Sequence, residues 1–413
     1  MKAVLFLLWT IVLGTVVAST RGAAPADPRQ EVDALTQALR TAKGADRASI
    51  AERLVVAEVR LAESLQGQGK HPAGLETLRK AKLLTSNFAP SRAQEVNNQL
   101  DVRLTLAQWR QANEGRGLEA EYFRGTDFGE SIGRRVDPNV DFLWDFANPV
   151  ENFDGDAFTA RWTGFIVAPH PGDYNLIALY DDKCRVWVDD VQVIDDWKVE
   201  RGQAEGIVRF TDKPQPIKLE YCDRGSHAHL SLHWALVGSK VEAVVPPEAF
   251  FTDRQVATRL AGKPVAPPKG FGLSGEYFEK EFGRLAFSRV DSTINFLWHR
   301  AYPEGMGEQF SVRWKGYLRA PKAGRYRLII CHDDGIRIAI DGKQVFNDWT
   351  NYRTDEVQVQ LTGKPQSVAI EYRNAGGGAS LSLAWQLADS DDKPTLIPAS
   401  AFFNDPKVAQ FAP

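Results

Sequence analysis

Apolar and polar positions alternate cleanly over Leu328–Trp349, LIICHDDGIRIAIDGKQVFNDW, where Ile336, Ile338, Ile340 and then Val345 mark one face of half-buried β-structure. The run predicts a strand, an Asp-Asp loop, a second strand, a tight turn and a third strand. Asp341-Gly342 is a favoured pair for a two-residue hairpin, whose central residues both need a positive φ. Leu176–Trp197, LIALYDDKCRVWVDDVQVIDDW, repeats the same order.

Ahead of this β-rich part the period is helical. Ile50, Leu54, Ala57, Leu61 and Leu65 recur at three- and four-residue steps, with Asp46 expected as their N-cap. A first helix is expected near Glu31–Thr41. The Gly67–Gly69 region and Pro72 break the second, and a third runs through Leu75, Leu78 and Leu83. A fourth starts at Pro90-Ser91 and carries Val96, Leu100, Leu104 and Ala107. Region 25–115 thus reads as a small helical bundle or a pair of helix-turn-helix units. It serves as a packing or spacer domain or, alternatively, docks a protein partner.

From Gly115 onward the chain repeats itself. GLEAEYF (Gly117–Phe123) matches GLSGEYF (Gly272–Phe278), and VDPNVDFLW (Val136–Trp144) matches VDSTINFLW (Val290–Trp298). FTARWTG (Phe158–Gly164) matches FSVRWKG (Phe310–Gly316), and LEYCDRGSHAHLSLHW (Leu219–Trp234) matches IEYRNAGGGASLSLAW (Ile370–Trp385). So long an ordered recurrence makes two copies of one domain, at 116–254 and 270–405, with a tail at 406–413. The Pro-rich stretch 255–269 between them reads as a semi-rigid linker. The repeated Arg161-Trp162 and Arg313-Trp314 read as a buried Trp beside a surface or paired Arg.

Composition narrows the picture. Lys and Arg total 50 against 53 Asp and Glu, so no basic field points to nucleic acid. The opening MKAVLFLLWTIVLGTVVAS has a charged Lys2, an apolar run from Val4 to Val17, and small residues at Ala18-Ser19. Segment 1–24 is therefore expected to be a cleaved secretory signal, too short an apolar run for an anchor. No later segment could span a membrane, so the protein is expected to be secreted, periplasmic or at the cell surface. Of the three cysteines, Cys331 sits in an apolar run and should be a buried thiol, while a Cys184–Cys222 bridge stays open. His227, His229 and His233 fall on even steps, but a solvent-facing strand accounts for them better than zinc or copper.

Both copies resemble the PA-fourteen (PA14) domain, named after the N-terminal part of anthrax protective antigen. The resemblance rests on GL-x-x-EYF, F-x-x-RW-x-G, the Asp-Asp with its hairpin and DW, the EY, and L-x-L-x-W. It implies a mainly β protein with an α-helical N-terminal region and two tandem antiparallel β-sandwich or barrel domains. In the flocculin and adhesin branch of that family, the Asp pair, joined by a cis peptide, and an Asn on a second loop hold calcium. That ion then takes vicinal hydroxyls of a sugar. Carried over, the calcium and sugar ligands are Asp333, Asp334 and Asn374 in the second copy, with Gly335 also matching. In the first copy they are Asp181, Asp182 and Asp223, where Lys183 replaces the glycine and could neutralise the pair. Two carboxylates, an amide and backbone carbonyls suit calcium, which takes six to eight oxygens in irregular geometry. The same Asp pairs could equally cap turns with no ion, in a structural or scaffolding protein that binds protein partners.

No Ser/His/Asp ordering, phosphate-cradling glycine loop or nucleophilic Cys stands out, and adjacent carboxylates lack the span of a glycosidase pair. The expectation is a non-catalytic, exported carbohydrate-binding protein that uses calcium.

Overall fold

The structure, a computed structural model, describes residues 27–413 apart from short stretches at 145–147, 151–152, 154, 156, 199–201, 226, 240–241, 264, 299–301, 304–305, 351–352 and 391–393. The expected signal at 1–24 lies outside the described residues. The chain divides into a helical unit, Met1–Glu114 with Gln410–Pro413, and a β unit, Gly115–Ala409.

The helical unit holds α1 (Pro28–Thr41), α2 (Gly44–Gly67), α3 (His71–Leu84) and α4 (Pro90–Ala112). Asp27 caps α1 by accepting the Arg29 N–H at 3.0 Å. Helix α2 starts two residues before the N-cap expected at Asp46. That side chain lies instead in the first turn, where the helix dipole favours an acid. Val55, Val59, Leu75, Leu78, Val96 and Leu100 form the core. Leu83 leaves the predicted stripe and is 76% exposed, because five residues beyond Leu78 it has rotated off the buried face that Ala81 occupies.

The first β domain contains β1 (Leu118–Arg124), β2 (Ser131–Asp137), β3 (Asp141–Leu143), β4 (Phe158–Ile166), β5 (Gly172–Asp181) and β6 (Lys183–Val188). It continues with β7 (Val191–Asp196), β8 (Gly202–Phe210), β9 (Gln215–Asp223), β10 (His229–Leu236), β11 (Ala243–Val244) and β12 (Phe250–Phe251). Helix α5 (Arg254–Leu260) follows. The second domain repeats the series as β13 (Leu273–Glu279), β14 (Leu285–Asp291), β15 (Asn295–Leu297), β16 (Phe310–Leu318), β17 (Ala323–Asp333) and β18 (Gly335–Ile340). Its remaining elements are β19 (Lys343–Asp348), β20 (Arg353–Thr362), β21 (Gln366–Asn374), β22 (Ser380–Leu387), β23 (Thr395–Leu396), β24 (Phe402–Phe403) and α6 (Pro406–Phe411).

Each domain is a sandwich of two antiparallel sheets. In the first, β2-β1-β4-β9-β6-β7, with β12 on β4, faces β11-β10-β5-β8, with β3 on β10. In the second, β14-β13-β16-β21-β18-β19, with β24 on β16, faces β15-β22-β17-β20, with β23 on β22. The hairpin residues take the expected positive φ, 50° at Asp341 and 74° at Gly342. Their counterparts Asp189 and Asp190 do the same at 49° and 61°.

The recurring motifs converge on one buried carboxylate per core. Asp137 Oδ2 accepts the Tyr122 hydroxyl at 2.6 Å and the Trp162 indole N–H at 2.8 Å, while Arg135 pairs with Oδ1 at 2.6 Å. Asp291 does the same with Tyr277, Trp314 and Arg289 at 2.7, 2.6 and 2.7 Å. This is why Tyr, Asp and Trp reappear at fixed places: each supplies one partner to a group that cannot be buried alone. Arg161 and Arg313 turn to Glu220 and Glu371 instead, at 2.9 and 3.0 Å.

The stretch 255–269 departs from the expected spacer. It begins inside α5, capped by Asp253 Oδ1 on the Gln255 and Val256 N–H groups at 2.7 and 3.0 Å. Ala257 and Leu260 of that helix bury against Phe251 and Phe165. The two sandwiches also meet directly, with β3 alongside β15. Ile177, Leu179, Ser231 and His233, and in the second copy Ile329, Cys331, Ser382 and Ala384, are buried on the sheet faces turned away from the cores.

Candidate metal centre

Each Asp pair sits where the chain changes sheets. Strand β17 belongs to the five-stranded sheet and β18 to the seven-stranded one, and Asp334 alone separates them. The first copy makes the same crossing from β5 to β6 at Asp182. The return crossings, β21 to β22 after Asn374 and β9 to β10 after Asp223, lie at the same end. Two sheet-switching corners therefore bring the Asp pair and the second-loop residue together. The Asp181-Asp182 and Asp333-Asp334 peptides are both cis, and in each pair the carboxyl groups are within hydrogen-bonding reach of one another.

In the second copy, Asp334 Oδ2 accepts the Ala375 N–H at 2.6 Å. Asn374 is buried; its amide N–H donates to the Glu308 carbonyl at 2.7 Å. Its Oδ1 is buried without a hydrogen-bond partner. Burial, then the charge of Asp334, pushes the Asp333 carboxyl up to about 6. Two carboxylates within reach of each other, with an orphaned amide oxygen one residue from the Ala375 contact, make an all-oxygen donor set. That arrangement fits a hard divalent cation such as calcium.

The first copy keeps the contact between the second loop and the Asp pair but differs in the groups around it. Asp182 Oδ2 accepts the Arg224 N–H at 2.7 Å, and burial foremost raises the Asp182 carboxyl, with Asp181 adding to the rise. Asp223 replaces the amide, and its Oδ1 already accepts the Gly225 N–H at 3.1 Å. The cation felt at Asp182 is Arg224 rather than Lys183, whose charge is felt at the Cys222 thiol. The reason lies across the sheet. Lys183 pairs with small Cys222, whereas Gly335 pairs with Arg373. A Cβ on Gly335 would stand 3.1 Å from Arg373 and 3.2 Å from the Trp349 backbone. Arg373 fills that space to reach the Trp349 carbonyl at 2.6 Å and Glu281 at 2.7 Å.

Several chemically marked residues resolve differently. All three cysteines are buried, and none forms a disulfide. Cys184 pairs with Tyr221, so neighbouring Cys222 points to the opposite face. The histidine strand is not simply solvent-facing. His227 is exposed and His229 half-buried, but His233 is fully buried. His233 Nε2 lies 2.9 Å from Ser231 Oγ and Nδ1 lies 2.8 Å from Glu242 Oε1, while Ser231 donates to Asp141 at 2.8 Å. Sequence order did not reveal this Ser/His/Glu chain. Ser231 and His233 have no exposed surface, so no substrate reaches them in this conformation. The sequence reading also missed His332, Asp348 and Asp355, which strand register draws together beside the second Asp pair.

The PA14 domain family model matches residues 115–248 and 270–396. The chain belongs to the PA14 domain family and carries two such domains in tandem. Anti-sigma-I factor RsgI3 of Acetivibrio thermocellus is 28% identical over 300 residues, covering 70% of this chain and 45% of that protein. The chain thus spans less than half of that relative's length. Among solved structures, an anti-sigma factor domain-containing protein from Clostridium clariflavum is 28% identical, covering 70% of this chain and 99% of that one, with a TM-score of 0.34. A PA14 sugar-binding domain from an RTX adhesin is 20% identical, covering 33% of this chain and 99% of that one, with a TM-score of 0.28. Among the described residues, no helix is long and apolar enough to cross a membrane.

Proposed function

We propose that this is an exported, non-catalytic glycan-binding protein whose second PA14 domain holds calcium through Asp333, Asp334 and Asn374. The ion offers its remaining positions to vicinal sugar hydroxyls. The observation that carries the reading is the buried, unpartnered Asn374 Oδ1 beside two carboxylates in mutual contact. A buried acceptor with no donor is costly, and calcium is a partner that satisfies all three groups at once. In the first domain Asp181, Asp182 and Asp223 form a weaker site, because Arg224 already supplies a positive charge.

A calcium titration followed by melting temperature tests this on the full chain. Calcium at a hundredfold excess over Kd adds about 2.7 kcal/mol, a rise of several degrees. Asn374→Ala and Asp334→Ala should each remove that rise and calcium-dependent binding on a glycan array. Glycan binding that survives excess chelator and Asp334→Ala would overturn the mechanism.

A further inference from the structure

A second set of metal-type ligands lies next to the Asp333–Asp334 corner. His332, on β17, is fully buried. Its Nδ1 is 2.5 Å from the Asp334 carbonyl oxygen, which carries no proton, so Nδ1–H must donate. The other ring nitrogen, Nε2, faces Asp355 Oδ2 3.1 Å away, as the lone pair of a neutral ring or the second N–H of an imidazolium. Either a proton or a metal ion can occupy the line between this nitrogen and that carboxylate.

Asp348 adds a third group. Its Oδ1 accepts the Thr350 N–H at 3.0 Å and hydroxyl at 2.6 Å, which helps hold the carboxyl below its usual range. Its buried Oδ2 is ion-paired with the Arg353 guanidinium. The ligand atoms of His332, Asp348 and Asp355 all lie within 4.8 Å of one another. Arg353, whose Nε reaches Asp355 at 2.9 Å, has a 58% exposed side chain and can swing into water.

Among the described residues the first domain has no such set. Tyr180 stands in place of His332 and donates its hydroxyl to Asp196, the counterpart of Asp348. Ala204 stands in place of Asp355, since Ala178 pairs with Ala204 where Ile330 pairs with Asp355. The surrounding fold is kept with neither ligand.

We propose that His332 Nε2, Asp348 Oδ2 and Asp355 Oδ2 bind a first-row divalent transition metal of the zinc or manganese class, displacing the Arg353 guanidinium. One imidazole with two carboxylates suits these ions and not calcium, which prefers oxygen alone. The Asp334 carbonyl on the far ring nitrogen is the support that metal-bound histidines ordinarily receive. The site stands independently of the calcium reading.

The test is native mass spectrometry and calorimetry of the full chain with zinc or manganese, under saturating calcium so that the Asp-Asp corner is not competing. The expected result is one retained transition metal. His332→Tyr and Asp355→Ala, which install the first domain's residues, should each weaken it at least tenfold while the melting temperature stays near wild type. Arg353→Gln should tighten it by removing a competitor, which a purely structural role would not do. No retained zinc or manganese would overturn the proposal. So would a metal unaffected by both variants, or one lost instead in Asp334→Ala.

Discussion

The two PA14 domains share a frame and diverge at one corner. Tyr122, Asp137 and Trp162 have the same hydrogen bonds as Tyr277, Asp291 and Trp314, because a buried carboxylate tolerates no missing partner. At the sheet crossing the copies differ in sets: Lys183 opposite Cys222 against Gly335 opposite Arg373, and Tyr180 bonded to Asp196 against His332 bonded to Asp355. The contrast teaches that the core repeats as a unit, while the corner changes as coupled sets of side chains. Among the described residues, the orphaned acceptor at the crossing, Asn374 Oδ1, falls in the second copy.

The largest effect should come from breaking what the copies share. Asp137→Ala and Asp291→Ala each strand a tyrosine O–H and an indole N–H in a core and take the carboxylate from a part-exposed guanidinium, at about 3–5 kcal/mol. Matched falls in denaturant midpoint would confirm equivalence; a large loss in one copy alone would break it.

A smaller effect should follow from mixing the corner pairs. Gly335→Lys forces a side chain into Arg373 and should cost about 2–3 kcal/mol, and adding Arg373→Cys should recover most of that. Additive losses in the double-mutant cycle would show that the pairs are not coupled.

The smallest prediction concerns Asp141, whose counterpart is Asn295. Burial pushes the Asp141 carboxyl up to about 6, against 3.8 in the unfolded chain. A raised value means that its favourable contribution is complete below about pH 4 and is lost as pH rises through 6. Asp141→Asn should therefore stabilise by up to about 3 kcal/mol at pH 8 and by almost nothing at pH 4. Melting curves at the two pH values check this; an equal gain at both would remove ionisation as the cause.

Much of the fold was legible because it is periodic. Alternation at Ile336, Ile338 and Ile340 marked β18, and the positive-φ hairpin followed from Asp341-Gly342. Helix α5 escaped because proline in 255–269 outweighed the Asp253 cap and the apolar Val256, Ala257 and Leu260 behind it. Asp333, Asp334 and Asn374 were visible through their motif. His332, Asp348 and Asp355 were not, since their proximity depends on register between β17 and β20 and on where β19 of the facing sheet meets them.

By itself the sequence determined two copies of one β domain behind a helical region, because repetition and period are written along the chain. Only the tertiary structure decided which polar atoms are left without partners. That depends on which strands cross between sheets and what lies opposite them, and a local pattern carries no record of either.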